Sequence, residues 1–192
     1  MTETKFFVVS LPRTGTTTLC EMAKICGLNP KHIPHQSYYS LIKGNEFNFF
    51  SDTPIFCPKI VEEICSFEDV KSKFIFIERD FKEVFDSWKR VGLYHYYLID
   101  SKAKDDSILF DISSYNDAFG GVELTEENSN DVFQNHKNLI FDIINKNNKE
   151  ILFYNFKEGW KPFCDFLNVQ VPNQELPHFN KGVIIKYPQK NS

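Results

Sequence analysis

Arginine is scarce in this 192-residue chain: Arg13, Arg79 and Arg90 stand against nineteen lysines. The basic residues do not outweigh the acidic ones, and the net charge is −4. That removes the global positive field that draws proteins to nucleic acid. Long apolar runs are missing too, none approaching the roughly 20 residues needed to cross a bilayer. The stretch Phe6–Leu11 is short and runs straight into Pro12 and Arg13, so it does not read as a leader peptide. The expectation is an intracellular, soluble protein with neither nucleic acid nor membrane as a partner. Cysteines number five, at 20, 26, 57, 65 and 164, without a CxxC pair or a zinc spacing. Buried thiols are expected, not a disulfide framework or a metal site. What is abundant is aromatic: 20 Phe and 8 Tyr can build the core of one domain over residues 1–192.

Hydrophobic patterning divides the chain into alternating elements. Lys5 to Ser10 reads as a strand and Thr16 to Cys26 as a helix stopped by Gly27. Phe47 to Phe50 is a short strand, and Pro58 opens a helix with Ile60, Val61, Ile64 and Cys65 on one face. Phe74 to Ile77 is a strand feeding a helix that carries Phe81, Val84, Phe85 and Trp88. Residues 93–131 are polar, contain Gly120-Gly121, and predict an irregular insertion over the sheet edge. A helix resumes near Asn130 with Leu139, Ile140, Ile143 and Ile144 inward, then a strand at Ile151–Tyr154 and a short helix to Leu167. Strands alternating with helices predict an α/β three-layer fold, a P-loop-like parallel sheet covered on both faces. Ligands of such sheets lie beyond the carboxyl ends of the strands. Arg13, Asp52 and Arg79 all follow predicted strand ends, so one cleft can collect them.

The richest stretch is Phe6 to Leu19, a strand, a turn with one glycine and a hydroxyl-rich helix start. Free amides and the positive end of a helix dipole make such a junction an anion cradle. Arg13 adds a permanent charge, and Thr16, Thr17 and Thr18 add hydroxyl donors. The stretch is not a Walker A loop, because Ser10 replaces the first glycine and Thr16 the lysine. A second element follows Phe74–Ile77, where Arg79 at the strand end can present a bidentate fork and Ser87 lies eight residues on. Taken alone, each has a plainer reading: a ligand-free strand–turn–helix junction, and a surface Arg79–Asp80 pair with a solvent-facing Ser87.

Together these elements resemble the sulfotransferases that use 3′-phosphoadenosine 5′-phosphosulfate (PAPS), most closely a short branch of that family. The family's [KR]-[ST]-G-T-[TS] phosphosulfate loop is matched by Arg13-Thr14-Gly15-Thr16-Thr17, with Thr18 following. Its Arg-x7-Ser element, which binds the 3′-phosphate, is matched by Arg79 and Ser87. Tyr154 to Leu167 looks like its C-terminal segment, with Asn168 where the family has glycine. The resemblance implies in-line sulfuryl transfer to a hydroxyl or amine of a small molecule or glycan, with Arg13 on the leaving phosphate and no metal required. It leaves 3′-phosphoadenosine 5′-phosphate (PAP) as product.

The acceptor's proton needs a base. Asp52 is the first candidate, in an Asp-Thr-Pro that matches an Asp-x-Pro of this branch, and a turn or N-cap role is its plainer alternative. His35 is the second, an imidazole whose near-neutral pKa suits a base, and a loop histidine near Pro34 is its plainer alternative. Tyr94, His95, Tyr96 and Tyr97 line an acceptor pocket, stack on adenine or pack beneath the insertion; Trp88, Phe85 and Trp160 read as core anchors. Two competing functions stay open: a P-loop kinase or hydrolase, for which Asp80 would hold magnesium, and a non-catalytic nucleotide-binding protein.

Overall fold

Phe6, Phe7, Val8 and Val9 are all buried, the continuous apolar run expected of a strand covered on both faces. In the computed structural model, which describes residues 3–91, 113–122 and 124–177, this run forms β1 (Thr4–Val8) at the centre of the sheet. The elements in chain order are β1, α1 (Thr16–Ile25), β2 (Pro30–His32), α2 (Tyr38–Lys43), β3 (Phe49–Ser51), α3 (Pro58–Ser66), β4 (Lys71–Ile77), α4 (Phe81–Val91), α5 (residues 113–118), α6 (Ser129–Lys146), β5 (Glu150–Tyr154) and α7 (Trp160–Leu167). The five strands run parallel in the order β2-β3-β1-β4-β5.

Register stacks like residues across the sheet. Phe7 pairs with Phe50 on β3 and Phe74 on β4, and their ring centroids lie 5.4 and 5.7 Å away. These rings face α3 and α6, whose Val61, Ile64, Ile140 and Ile144 complete that layer. Phe6, Val8, Ile75 and Ile77 look the other way, onto Leu19 and Met22 of α1 and Phe163 of α7. Burying one such phenylalanine contributes about 1.5–3 kcal/mol. The three-layer α/β expectation is met. A third cluster gathers Leu11, Phe56, Trp88 and Phe133 with Tyr115 and Phe119.

Several local expectations need correction. β2 and α2 were not foreseen: three residues beginning with Pro30 carry no period, and Pro is tolerated at the first residue of an edge strand. Leu139 is 47% exposed, not inward. The inward stripe of α6 runs through Val132, Phe133, His136, Ile140 and Ile144, which leaves Leu139 on its flank. The 93–131 segment is not irregular throughout, since α5 delivers Tyr115 and Ala118 to the third cluster. Tyr94, His95, Tyr96 and Tyr97 lie outside the described residues. Trp88, Phe85 and Trp160 are core residues as expected, and none of the five cysteines is in a disulfide.

His136 is the one imidazole buried in this core among the described residues. Its Nε2–H donates to the Phe56 carbonyl at 2.8 Å, while Nδ1 has no partner there. Burial pushes its pKa down to about 4, against a smaller opposing pull from the Phe56 carbonyl and Asp117. No described helix is long and apolar enough to cross a membrane.

Candidate active site

The chain between β1 and α1 is tied down from three sides. On the β4 side, the Val9 amide donates to the Ile75 carbonyl at 2.9 Å, and the Ser10 hydroxyl accepts from the Ile77 amide. Ser10, standing where a Walker loop has glycine, thus welds the ends of β1 and β4 together. Within the turn, the buried Thr14 hydroxyl donates to the Leu11 carbonyl at 2.8 Å. From α4, Trp88 Nε1–H donates to the Pro12 carbonyl at 2.8 Å. Sequence reasoning had treated Trp88 as core alone, and its reach to the loop had no local signal.

Two residues of this turn have left-handed backbone, Arg13 at φ 70° and Gly15 at φ 121°. Arg79 Nη1 donates to the Arg13 carbonyl at 3.0 Å, which holds that strained peptide in place. Glycine is required at 15 for a second reason. A Cβ there would lie 2.6 Å from Cε2 of Phe156, in the turn after β5. Gly15 is also the N-cap of α1, with no side-chain cap and no acidic residue in the first turn. The first-turn amides of Thr16, Thr17 and Thr18 therefore keep their hydrogen-bonding capacity at the positive end of the helix.

Arg13 Nε donates to Ser87 Oγ at 3.1 Å. The two elements recognised separately in the sequence thus meet through their own side chains. Arg79 is more exposed and also pairs with Glu83 at 3.0 Å, a surface ion pair of small energetic weight. Asp80 accepts the Glu83 amide at 3.3 Å and so sits at the start of α4.

Asp52 follows β3 with φ 68° and a side chain only 12% exposed. Its Oδ2 accepts the Thr16 hydroxyl at 2.9 Å, and its Oδ1 accepts the Thr53 amide at 2.9 Å. His32 Nε2, from the end of β2, lies 3.4 Å from Oδ2, 3.2 Å from Thr16 Oγ1 and 3.5 Å from Thr17 Oγ1. Burial alone would raise the Asp52 pKa. His32, Thr16 and Thr53 together more than offset that and hold it below the usual carboxylate range. Behind the pair, burial pushes the Cys20 thiol up to about 11, so it stays protonated against Ser51 Oγ, 3.0 Å away.

The structure therefore brings Arg13, Thr14, Gly15, Thr16, Thr17, Thr18, Arg79, Ser87 and Asp52 to one edge of the sheet. Thr14 differs from the rest because its hydroxyl is committed inside the turn. His35 lies in the single turn before α2, and its backbone amide donates to the Thr53 carbonyl at 3.1 Å. The imidazole that meets Asp52 is that of His32, which sequence reasoning missed. The only available signal was position: a strand end in a parallel sheet faces the same edge as the loop.

The family model described as a sulfotransferase domain matches residues 44–184, about three quarters of the chain. The matched part starts at the end of α2 and carries Asp52, Arg79, Ser87 and the segment through α7. The loop at 10–18 lies outside it. No curated protein matches the chain.

Proposed function

The chain belongs to the sulfotransferase family, and on that footing we propose that it moves the sulfuryl group of PAPS to a hydroxyl or amine of a small molecule or glycan. Membership makes sulfuryl transfer the general chemistry; donor and acceptor class are our reading. What carries it is the uncapped N-terminus of α1, which begins three residues after Arg13. The amides of Thr16, Thr17 and Thr18, the guanidinium and the absence of acid from the first turn suit a phosphosulfate. The position of a Walker lysine is taken by Thr16, whose hydroxyl is spent on Asp52, which disfavours nucleotide triphosphates.

In the reaction, the acceptor oxygen bonds to sulfur as the bond from sulfur to the bridging phosphate oxygen breaks. Negative charge gathers on that oxygen, and Arg13 is the group we assign to neutralise it. The helix amides and the Thr17 hydroxyl keep the donor in line. Arg79 and Ser87 are the groups we assign to the 3′-phosphate. The acceptor's proton departs toward the Asp52–His32 pair.

Thermal denaturation tests the donor. PAP at about 100 times its Kd contributes about 2.7 kcal/mol, a rise in Tm of roughly 5–10 °C, with no magnesium present. Stabilisation by magnesium-ATP together with no response to PAP would overturn the reading.

A further inference from the structure

Asp52 is poorly placed to receive a proton. Its two oxygens already accept the Thr53 amide and the Thr16 hydroxyl, and little of it is open to the cleft. His32 is different: its side chain is 29% exposed, and among the described residues its ring's polar contacts are made through Nε2. That nitrogen is close to Thr16 Oγ1 at 3.2 Å and Asp52 Oδ2 at 3.4 Å. Thr16 has one hydroxyl proton, and it is donated to Asp52. Toward the imidazole, the Thr16 oxygen is thus an acceptor, and so is the carboxylate. The two nearest neighbours of Nε2 are acceptors and the third, Thr17 Oγ1 at 3.5 Å, can accept as readily as donate, so a proton on Nε2 satisfies the most partners. In the neutral ring the lone pair then resides on Nδ1, the nitrogen turned away from the carboxylate.

We propose, resting on the sulfuryl-transfer reading above, that Nδ1 of His32 is the catalytic base and that Asp52 is a positioning residue acting through Nε2–H. As the acceptor oxygen bonds to sulfur, its O–H bond breaks and the proton moves to Nδ1. The electron pair of the broken sulfur–oxygen bond leaves on the PAP phosphate. The imidazolium so formed is balanced by the Asp52 carboxylate already in contact with it. Other groups facing the ring leave this pairing intact. From α1 the neighbours are the neutral hydroxyls of Thr16 and Thr17. On its own strand, Lys31 turns its ammonium to the Phe47 ring, 5.4 Å away.

The tautomer is directly observable. Long-range proton–nitrogen spectra of the full-length chain should show neutral His32 as the Nε2–H form, its signals assigned by their absence in His32→Gln. An Nδ1–H form overturns the proposal. The second measurement is hydrolysis of sulfur-labelled PAPS with water as acceptor, followed across pH. His32→Gln should lose 10²–10⁴-fold in kcat and lose the acid limb of the profile, with PAP affinity unchanged within about threefold. Asp52→Asn should keep that limb and lose less of kcat than His32→Gln does. Retention of rate and limb in His32→Gln, with activity abolished in Asp52→Asn, makes Asp52 the base and ends the proposal. A wild-type chain that neither binds PAP nor cleaves PAPS fails the donor reading first, and the base assignment falls with it.

Discussion

Gly15 is the residue whose replacement the geometry forbids most firmly. Its φ of 121° and the Phe156 ring 2.6 Å from any added Cβ act together, so relieving one leaves the other. Gly15→Ala should lower stability by about 1–3 kcal/mol, read as a Tm loss, and should remove the PAP-induced rise. Adding Phe156→Ala should restore only part of the Tm, because the backbone strain persists. Arg13 gives a contrasting prediction. On the proposed reading its charge is most useful where negative charge develops on the leaving oxygen, so Arg13→Ala should cost about 10²–10³-fold in kcat and much less in PAP affinity. Equal losses in both, measured by transfer kinetics and calorimetry, would reduce it to a binding residue.

At the scale of elements, α4 behaves as a clamp on the loop between β1 and α1. Two consecutive residues reach it, Ser87 to the Arg13 side chain and Trp88 to the Pro12 carbonyl. Trp88→Phe keeps the packing but leaves that carbonyl buried and unpaired, a loss of about 1–2 kcal/mol. Trp160→Phe removes a similar bond, to the Gln174 carbonyl at 2.7 Å, well along the chain from the loop. Both variants should melt earlier, but only Trp88→Phe should weaken PAP binding in a titration. This clamp also shows where sequence reasoning stops. β1, the loop and α1 were readable because a buried run, a glycine and a hydroxyl-rich helix start follow one another locally. β4 and α4 were readable from length and apolar spacing. His32 was not, since β2 is three residues long and its neighbourhood follows from lying beside β3. That pairing is non-local. His35, three residues along, was a candidate only for the near-neutral pKa of any imidazole, a property that His32 shares. Leu139 looked inward because apolar residues crowd α6, and only packing shows which stripe the sheet selects.

For the whole molecule, acidity should be destabilising well before the carboxylates titrate. His136 has a folded pKa of about 4, below the ordinary imidazole value of about 6.5. A depressed folded value means the contribution is fully present above about 6.5 and is lost as pH falls toward 4. The full loss is on the order of 3 kcal/mol, and denaturant melts between pH 7 and 4 would measure it. His136→Phe should flatten that slope. Asp52, also held low, adds a later loss below its unfolded value of 3.8. The long reach of the loop's ties has a kinetic meaning. Arg79 and Arg13 are 66 positions apart, Arg13 and Ser87 74, Pro12 and Trp88 76. Such distant closures are entropically slow. During synthesis, then, the β1–α1 loop leaves the ribosome long before the helix that secures it, and on the proposed reading competence to capture PAP is a late timestamp of folding.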